Sequence, residues 1–351
     1  MATDVPCGIH NHKEQPNNLM VGLVQYTKRD LILYAFGIGC DENERCYLYE
    51  HDPSFSAFPL FLLSLPFRAK LIRSSGSESL TDVSLDEDYN ALGMYSFPPP
   101  MMREHKSVQS IIHLAQKYRL HDFKTIPLGT NKIELITRII HTKNTKKGKI
   151  ITSETLFFVL PNSNLKDAEK WLLATAQMTS LYLSSDHNEG SYEVHRPSQT
   201  LRPISNIINT SHEVHTVQIF KIHESQAMMY RLSGDTNRIH VEGSTFFKST
   251  QPILHGLCTL GYAVRAVLKT YGGIFQYVDC SFTNPVFVGD TIAVHMWKGQ
   301  NANDASMILI RFQVTRQDEE QNQHEIVIKG GVIQLNMGTS ENKEIHNNSK
   351  L

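Results

Sequence analysis

The apolar positions in the C-terminal part of the chain predict one long buried helix followed by several strands. Pro252–Tyr271 is mostly apolar and runs into Gly272 and Gly273, which is typical of a helix that ends at a glycine C-cap. After it, β-branched and aromatic residues alternate with polar ones, as in an antiparallel sheet. The predicted elements besides this helix are a strand at Val214–Ile222, a helix at Glu224–Leu232, and strands at Gln276–Phe282, Thr291–Lys298, Ser306–Thr315 and Glu325–Leu335.

The N-terminal part repeats this plan less clearly. Arg29–Gly39 predicts a short helix and Glu44–Tyr49 a strand. The apolar run Phe55–Phe67 occupies the place of the long helix, but it contains two prolines, which interrupt helices. The β-rich segments Ile133–Ile140 and Ile150–Leu160 flank a short basic turn and predict a hairpin.

Together these patterns predict two similar halves joined by a linker. A sheet curled around one long apolar helix is the hot-dog fold, so the chain is predicted to be an α+β double hot dog. Residues 1–165 form the degenerate N-terminal half and residues 211–338 the C-terminal, catalytic half. Residues 166–210 are predicted as the linker, with helical composition over Leu165–Tyr182 and a Ser-, Asn- and Pro-rich stretch after it. Residues 339–351 form a polar tail.

Composition narrows the class of protein. The length of 351 residues suits two domains, and the net charge of −1 gives no field that would recruit nucleic acid or an acidic membrane. The 5 cysteines show no Cys-x-x-Cys spacing, which argues against a disulfide framework or a zinc site and favours a reducing compartment. The most apolar run, Phe55–Phe67, is too short to span a bilayer.

One segment, Tyr230–His240, concentrates groups that can handle a proton. It reads Tyr-Arg-Leu-Ser-Gly-Asp-Thr-Asn-Arg-Ile-His and places Asp235, Asn237 and His240 behind Gly234. Residues five apart point in different directions on a helix, so Asp235 and His240 can converge only if the helix ends at the glycine. A carboxylate and an imidazole that converge can position and deprotonate water.

This segment resembles the signature of the type-2, (R)-specific enoyl-CoA hydratases, which are relatives of the MaoC-like dehydratases. Two later blocks, Pro252–Gly261 and Phe282–Asp290, continue the resemblance in order, and Arg29–Gly39 and Tyr47–Glu50 are similar to the opening of the eukaryotic enzymes. The resemblance implies hydration of trans-2-enoyl-CoA to (3R)-3-hydroxyacyl-CoA in fatty-acid β-oxidation. It implies an acyl-CoA thioester substrate and neither a metal nor a cofactor.

The resemblance also implies roles for individual residues. Asp235 and His240 hold and activate the water, and Asn237 orients them. The backbone N–H of Gly256, in the first turn of the long helix, faces the thioester oxygen, where negative charge develops. Alternatively, Gly256 allows close packing of the helix against the sheet, and both roles are compatible. The remaining pocket residues, which lie on the substrate side, are Gly234, Arg238 and His255.

The chain departs from the family pattern beside these groups. Arg238 replaces a proline, and the segment after His240 reads Val-Glu-Gly, up to Gly243, in place of the usual x-Asp-Pro. Two roles for Arg238 are open: it pairs with Asp235 and lowers the basicity of that carboxylate, or it binds a CoA phosphate at the mouth of the pocket.

The chain ends in Ser349, Lys350 and Leu351, the tripeptide that the peroxisomal import receptor reads. We therefore expect a peroxisomal enoyl-CoA hydratase 2, a hydro-lyase, acting singly or as a homodimer. Two other functions fit the same fold: a hot-dog acyl-CoA thioesterase, and a catalytically weak acyl-CoA-binding homologue.

Overall fold

A computed structural model shows an antiparallel sheet that continues through both halves of the chain. It describes residues 19–72, 108–121, 126–129, 131–160, 170–184, 201, 214–243, 247, 249–300, 306–318 and 323–338. The 11 strands lie in the order β2-β1-β4-β5-β6-β3-β8-β11-β10-β9-β7. They are β1 Leu19–Tyr26, β2 Lys70–Ile72, β3 Val108–Leu120, β4 Asn131–Thr145, β5 Gly148–Val159, β6 Trp171–Ser184, β7 Val214–Lys221, β8 Ile274–Phe282, β9 Thr291–Gln300, β10 Met307–Asp318 and β11 Gln323–Asn336.

The helices are few and, with one exception, short. They are α1 Lys28–Gly37, α2 Arg45–Leu48, α3 Gln226–Tyr230, α4 Ile239–Glu242 and α5 Gly256–Tyr271, with 3₁₀ turns at Phe61–Phe67 and Arg231–Ser233. No helix in the described parts of the chain is long and apolar enough to cross a membrane.

Helix α5 is the centre of the C-terminal half, as the sequence predicts. Its residues from Leu257 to Val267 are all buried, and it ends at Gly272, whose φ of 65° suits a glycine C-cap. The five strands β7 to β11 belong to this half. The predicted strands of the C-terminal half are confirmed, with helix α5 starting at Gly256 rather than at Pro252.

In the N-terminal half, the place of the long helix is taken by α1 and the 3₁₀ turn Phe61–Phe67. Six of the seven residues of this turn are buried, and Pro66 lies inside it. Because proline lacks an N–H and fixes φ, the apolar run cannot continue as one α-helix. The predicted helix at Arg29–Gly39 and the hairpin of β4 and β5 are confirmed.

Two predictions in this half are wrong. Glu44–Tyr49, predicted as a strand, contains helix α2. Leu165–Tyr182, predicted as helical, overlaps β6, which pairs with β5 and β3 in the interior of the sheet. The segment predicted as a linker therefore overlaps a strand of the first half, and residues 185–200 and 202–213 lie outside the described residues.

The two halves meet along a strand pair, and elements of the N-terminal half also contact α3 and α5. Ala115–Arg119 of β3 pairs antiparallel with Tyr277–Ser281 of β8, which makes the sheet continuous. On the helix side, α5 lies against the end of α1, since a Cβ built at Gly261 would lie 2.9 Å from Ile38 Cβ. Glycine at this position allows the close approach. The N-terminal half therefore packs directly against helix α5 of the C-terminal half.

Candidate active site

The chain reverses direction between α3 and α4, and this loop carries the predicted chemistry. The 3₁₀ turn Arg231–Ser233 ends at Gly234, whose φ of 124° is accessible mainly to glycine. This confirms the prediction that the helix stops at this glycine. Asp235 follows in the loop, and α4 then begins and carries His240 on its first turn.

The loop brings Asp235 and His240 together. Their Oδ2 and Nε2 atoms are 3.9 Å apart, and both side chains are largely buried. The other ring nitrogen of His240, Nδ1, lies 2.6 Å from the carbonyl oxygen of Ile253 and donates to it, because a carbonyl only accepts. The neutral ring therefore keeps its lone pair on Nε2, on the side of Asp235.

The backbone of the loop fixes the orientation of the carboxylate. The backbone N–H of Asn237 donates to Asp235 Oδ1 over 3.1 Å, which leaves Oδ2 for the side facing His240. The side-chain Oδ1 of Asn237 accepts from the backbone N–H of Ile239 over 3.3 Å, at the start of α4. The orienting contact that the structure contains is thus made by the main chain of Asn237.

His255 packs directly against the ring of His240. Its ring stacks on that of His240 with centroids 3.5 Å apart and an interplanar angle of 19°. It is 2% exposed, its ring nitrogens make no hydrogen bond of ordinary geometry among the described residues, and the backbone of Asp235 lies beside the ring. The ring of Tyr230 also packs against the ring of His255, with centroids 4.7 Å apart.

Burial keeps both imidazoles neutral. Desolvation lowers the pKa of His240, and the charge of Asp235 and the bond to Ile253 oppose this only in part. Desolvation also lowers the pKa of His255 well below its usual value, and His240 and Arg231 lower it further. At neutral pH, His240 is therefore available as a proton acceptor.

The same three side chains are also the set that could approach a metal ion. One ligand atom each from Asp235, His240 and His255 lies within 4.8 Å of the others. Because the two rings are nearly parallel and 3.5 Å apart, their in-plane lone pairs run side by side and do not converge on one point. The donor types suit a metal ion, but the arrangement of the two rings does not.

The glycine proposed to face the substrate opens helix α5. Gly256 follows the N-cap residue His255, so its N–H lies in the first turn, where no intrahelical acceptor is available. A Cβ built there would lie 3.3 Å from the ring of Phe282 on β8. The contact with Phe282 supports the packing role of this glycine. The oxyanion role stays a prediction.

Arg238 does not bond to Asp235. Its Nη2 and Nε lie 2.9 and 3.1 Å from Glu242 Oε1, one turn later on α4. The side chains of this pair are 83% and 56% exposed. The interpretation in which Arg238 pairs with the carboxylate of Asp235 is therefore wrong, because the guanidinium pairs with Glu242.

Comparison with known proteins identifies two similar domains. A MaoC-like domain matches residues 206–320, and an MFE-2 hydratase 2 N-terminal domain matches residues 24–90. The chain thus contains the two domains that the predicted resemblance implies, and the double hot-dog fold is confirmed.

Three similar proteins define the extent of the match. The chain is 28% identical over 82% of its length to the peroxisomal hydratase-dehydrogenase-epimerase of Saccharomyces cerevisiae, and spans 28% of that protein. It is 26% identical to a probable enoyl-CoA hydratase 2 of Dictyostelium discoideum, with 82% and 85% of the two chains covered. The crystal structure of a MaoC-like dehydratase from Phytophthora capsici covers 92% of the chain with a TM-score of 0.62, is 24% identical, and is itself 97% covered.

Several residues of the site carry no signal in the sequence. The carbonyl of Ile253 orients His240, and Arg68 packs on Gly234. A backbone oxygen has no side-chain signature, and Arg68 lies far from the motif along the chain. The three residues of the predicted targeting tripeptide, Ser349 to Leu351, lie outside the described residues.

Proposed function

We propose that the protein hydrates trans-2-enoyl-CoA to (3R)-3-hydroxyacyl-CoA, with Asp235 and His240 as the groups that hold and activate the water. The observation that supports this most directly is the open 3.9 Å gap between Oδ2 and Nε2. Two acceptors that share one bridging water lie roughly 4 to 4.5 Å apart when each hydrogen bond has ordinary length. The gap is too long for a direct bond and suits a bridging water.

The proposed reaction uses this pair as one unit. Nε2 of His240 accepts a proton as the water oxygen bonds to the β-carbon, and the π electrons move to the thioester oxygen. Asp235 stabilises the imidazolium that forms. The N–H of Gly256 binds the enolate oxygen, and the α-carbon then takes a proton from the dyad, so that one water is added in total.

We assign the remaining pocket residues by their position. His255 stacks on His240 and is almost fully buried, so it supports the position of the His240 ring. Gly234 allows the turn at the start of the loop, and the stem of Arg68 covers it. The guanidinium of Arg238 is exposed, which supports contact with a CoA phosphate.

The experiment that tests the function uses purified protein with crotonyl-CoA and with a longer 2-enoyl-CoA. Hydration removes the conjugated absorbance, and chiral analysis of the product gives the configuration, which we expect to be 3R. Release of free thiol would identify a thioesterase instead. Binding of the acyl-CoA without either change would identify a binding protein, and both of these results would contradict the proposal.

We place this reaction in peroxisomal β-oxidation. The support is the peroxisomal name of the yeast relative and the tripeptide Ser349 to Leu351, which the import receptor would bind. A fluorescent fusion at the N-terminus, which leaves this tripeptide free, should colocalise with a peroxisomal marker. A diffuse cytosolic signal would contradict this location.

A further inference from the structure

The catalytic loop is covered by a side chain from the other half of the molecule. A Cβ built at Gly234 would overlap the Cγ of Arg68 and would lie 2.9 Å from its Cδ. The aliphatic stem of Arg68 therefore lies directly on the residue that precedes Asp235. Gly234, with φ of 124°, is both the turning point of the loop and the point at which this stem meets it.

Arg68 is itself held in place. Its Nη1 lies 2.6 Å from Asp30 Oδ1, and the two side chains are 24% and 14% exposed. The other carboxylate oxygen, Asp30 Oδ2, accepts from the backbone N–H of Thr27 over 2.7 Å and from its hydroxyl over 2.9 Å. Both oxygens of Asp30 are thus engaged at the start of α1, so the guanidinium is tied to a rigid element.

Within the loop, few bonds fix the position of Asp235. Gly234 N–H donates to the carbonyl of Arg231 over 2.9 Å, and Asn237 N–H donates to the carboxylate itself. A third bond, from the N–H of His240 to the carbonyl of Asn237 over 3.2 Å, joins the loop to α4. All three bonds link residues two or three apart, so they shape the turn locally, whereas the contact with Arg68 comes from outside the loop.

We propose that Arg68 is a positioning residue, which presses on Gly234 and thereby sets the separation of Asp235 from His240. This inference rests on the proposed hydration by these two residues. It gives the N-terminal half, which contributes no group to the proposed proton transfer, a defined part in the reaction. The structural path runs from Thr27 through Asp30 and Arg68 to the loop.

The position of Asp235 can be measured through the titration of His240. The groups that face the His240 ring are the carboxylate of Asp235, the stacked ring of His255 and the carbonyl of Ile253, and Arg231 acts on His255. Among these, the negative charge of Asp235 raises the pKa of His240. If Asp235 moves away, this contribution weakens and the pKa of His240 falls.

The test compares Arg68→Lys, Arg68→Met and Arg68→Ala. Lysine keeps a stem and a charge for Asp30, methionine keeps only a stem, and alanine removes both. We measure the pKa of His240 by NMR with labelled histidine, using His240→Gln to assign the signal, and we measure kcat and KM for the 2-enoyl-CoA. Arg138→Ala is the control, because Arg138 forms a similar bond of 2.7 Å with Glu154 within β4 and β5.

We expect kcat to fall in the order Lys, Met, Ala, with Arg68→Ala about 10- to 100-fold below the wild type, since small displacements of catalytic groups cost this much. KM should change little, and the pKa of His240 should fall in the same order. Arg138→Ala should lower the melting temperature without moving that pKa.

An unchanged His240 pKa in Arg68→Ala and Arg68→Met, with no larger loss of kcat than in Arg138→Ala, would overturn the inference. A rise in KM with normal kcat would also overturn it, because Arg68 would then bind substrate. The NMR measurement needs no turnover, so a wild type that does not hydrate enoyl-CoA would refute the proposed function and leave the positioning result readable.

Discussion

The pair Asp235 and His240 allows a test that separates a catalytic from a structural role. Asp235→Asn and His240→Gln keep the side-chain size but remove proton transfer, so each should lower kcat about 10²- to 10⁴-fold. Because both groups act on one water, the double variant should be little worse than the poorer single variant. The measurement is the initial rate of hydration at saturating substrate, alongside the melting temperature.

The control for the dyad is Glu242→Gln, an exposed change on the same short helix. It should leave kcat within a factor of about two, as is usual for surface substitutions away from special features. Wild-type hydration rates in stable dyad variants would refute the assignment of both residues.

Arg238 tests how far the departure from the family pattern matters. Its φ of −61° already suits proline, so Arg238→Pro should fold. Because the guanidinium binds Glu242 and not Asp235, we expect kcat and the acidic limb of its pH profile to stay unchanged. KM should rise and its dependence on salt should weaken, because an exposed cation near CoA phosphates is lost.

Arg238→Gln serves as the charge control with a native backbone, and it should raise KM to a similar extent. A KM that is insensitive to both substitutions would show that Arg238 points away from the substrate. A shifted acidic limb would show that Arg238 is electrostatically coupled to Asp235 after all.

For single residues, the sequence predicts which chemical groups form the site better than it predicts the contacts around them. Asp235 and His240 follow from the motif, and Gly234 follows from the need for a turn between them. The stacking of His255 on His240 depends on where α5 begins, which the apolar pattern placed four residues too early. The ion pair of Arg238 depends on the rotation of α4, which is too short to show a period.

Among the helices, α5 is held to the N-terminal half by a buried cation. Arg265 is 5% exposed at its side chain, bonds to Asp41 over 2.9 Å and also binds Glu44, whose side chain is 12% exposed. Arg265→Met should lower the free energy of unfolding by about 3 kcal/mol, because it leaves a largely buried carboxylate without its partner. Urea unfolding followed by circular dichroism measures this change.

The double variant Arg265→Met with Glu44→Gln should recover part of that loss, because the unpaired charge is then removed as well. Equal destabilisation of the single and the double variant would show that packing of the Arg265 stem, rather than charge, carries the effect.

Both wrong element predictions lie where the local composition disagrees with the element that forms. Trp171–Ser184 contains Leu, Ala, Met and Gln, which favour helices, yet Ala174 and Ala176 are buried within strand β6. Pairing on both edges, with β5 and β3, overrides the local preference. The opposite mismatch occurs at Arg45–Leu48, which has a strand-like composition but forms a single helical turn. One turn is too short to show a helical period in the sequence.

For the molecule as a whole, histidines with a lowered pKa should contribute to its behaviour in acid. Desolvation lowers the pKa of the partly buried His113 to about 4, and burial lowers the pKa of His240 and His255 as well. As pH falls below 6.5, these histidines bind protons in the unfolded chain but not in the folded one, so the free energy of unfolding decreases. His113 alone should account for about 3 kcal/mol by pH 4.

The measurement is the free energy of unfolding between pH 7 and pH 4 for the wild type and for His113→Gln, which cannot titrate. The variant should lose clearly less stability over this range. Parallel curves for the two proteins would show that His113 is protonated in the folded state.

Targeting is the other property of the whole chain that can be tested. Removing Ser349 to Leu351 should leave the melting temperature and kcat unchanged and should move the protein to the cytosol. A truncated protein that still colocalises with peroxisomes, in cells without a full-length copy, would contradict the role of this tripeptide.

The strand pair between β3 and β8 has a consequence for synthesis on the ribosome. The inner edge of the first half, at Ala115–Arg119, finds its partner only in Tyr277–Ser281. Until the nascent chain has emerged that far, the N-terminal half presents a row of free backbone donors and acceptors, the kind of edge that joins to other chains. We therefore expect the period between translation of β3 and of β8 to be when a chaperone matters most to this protein.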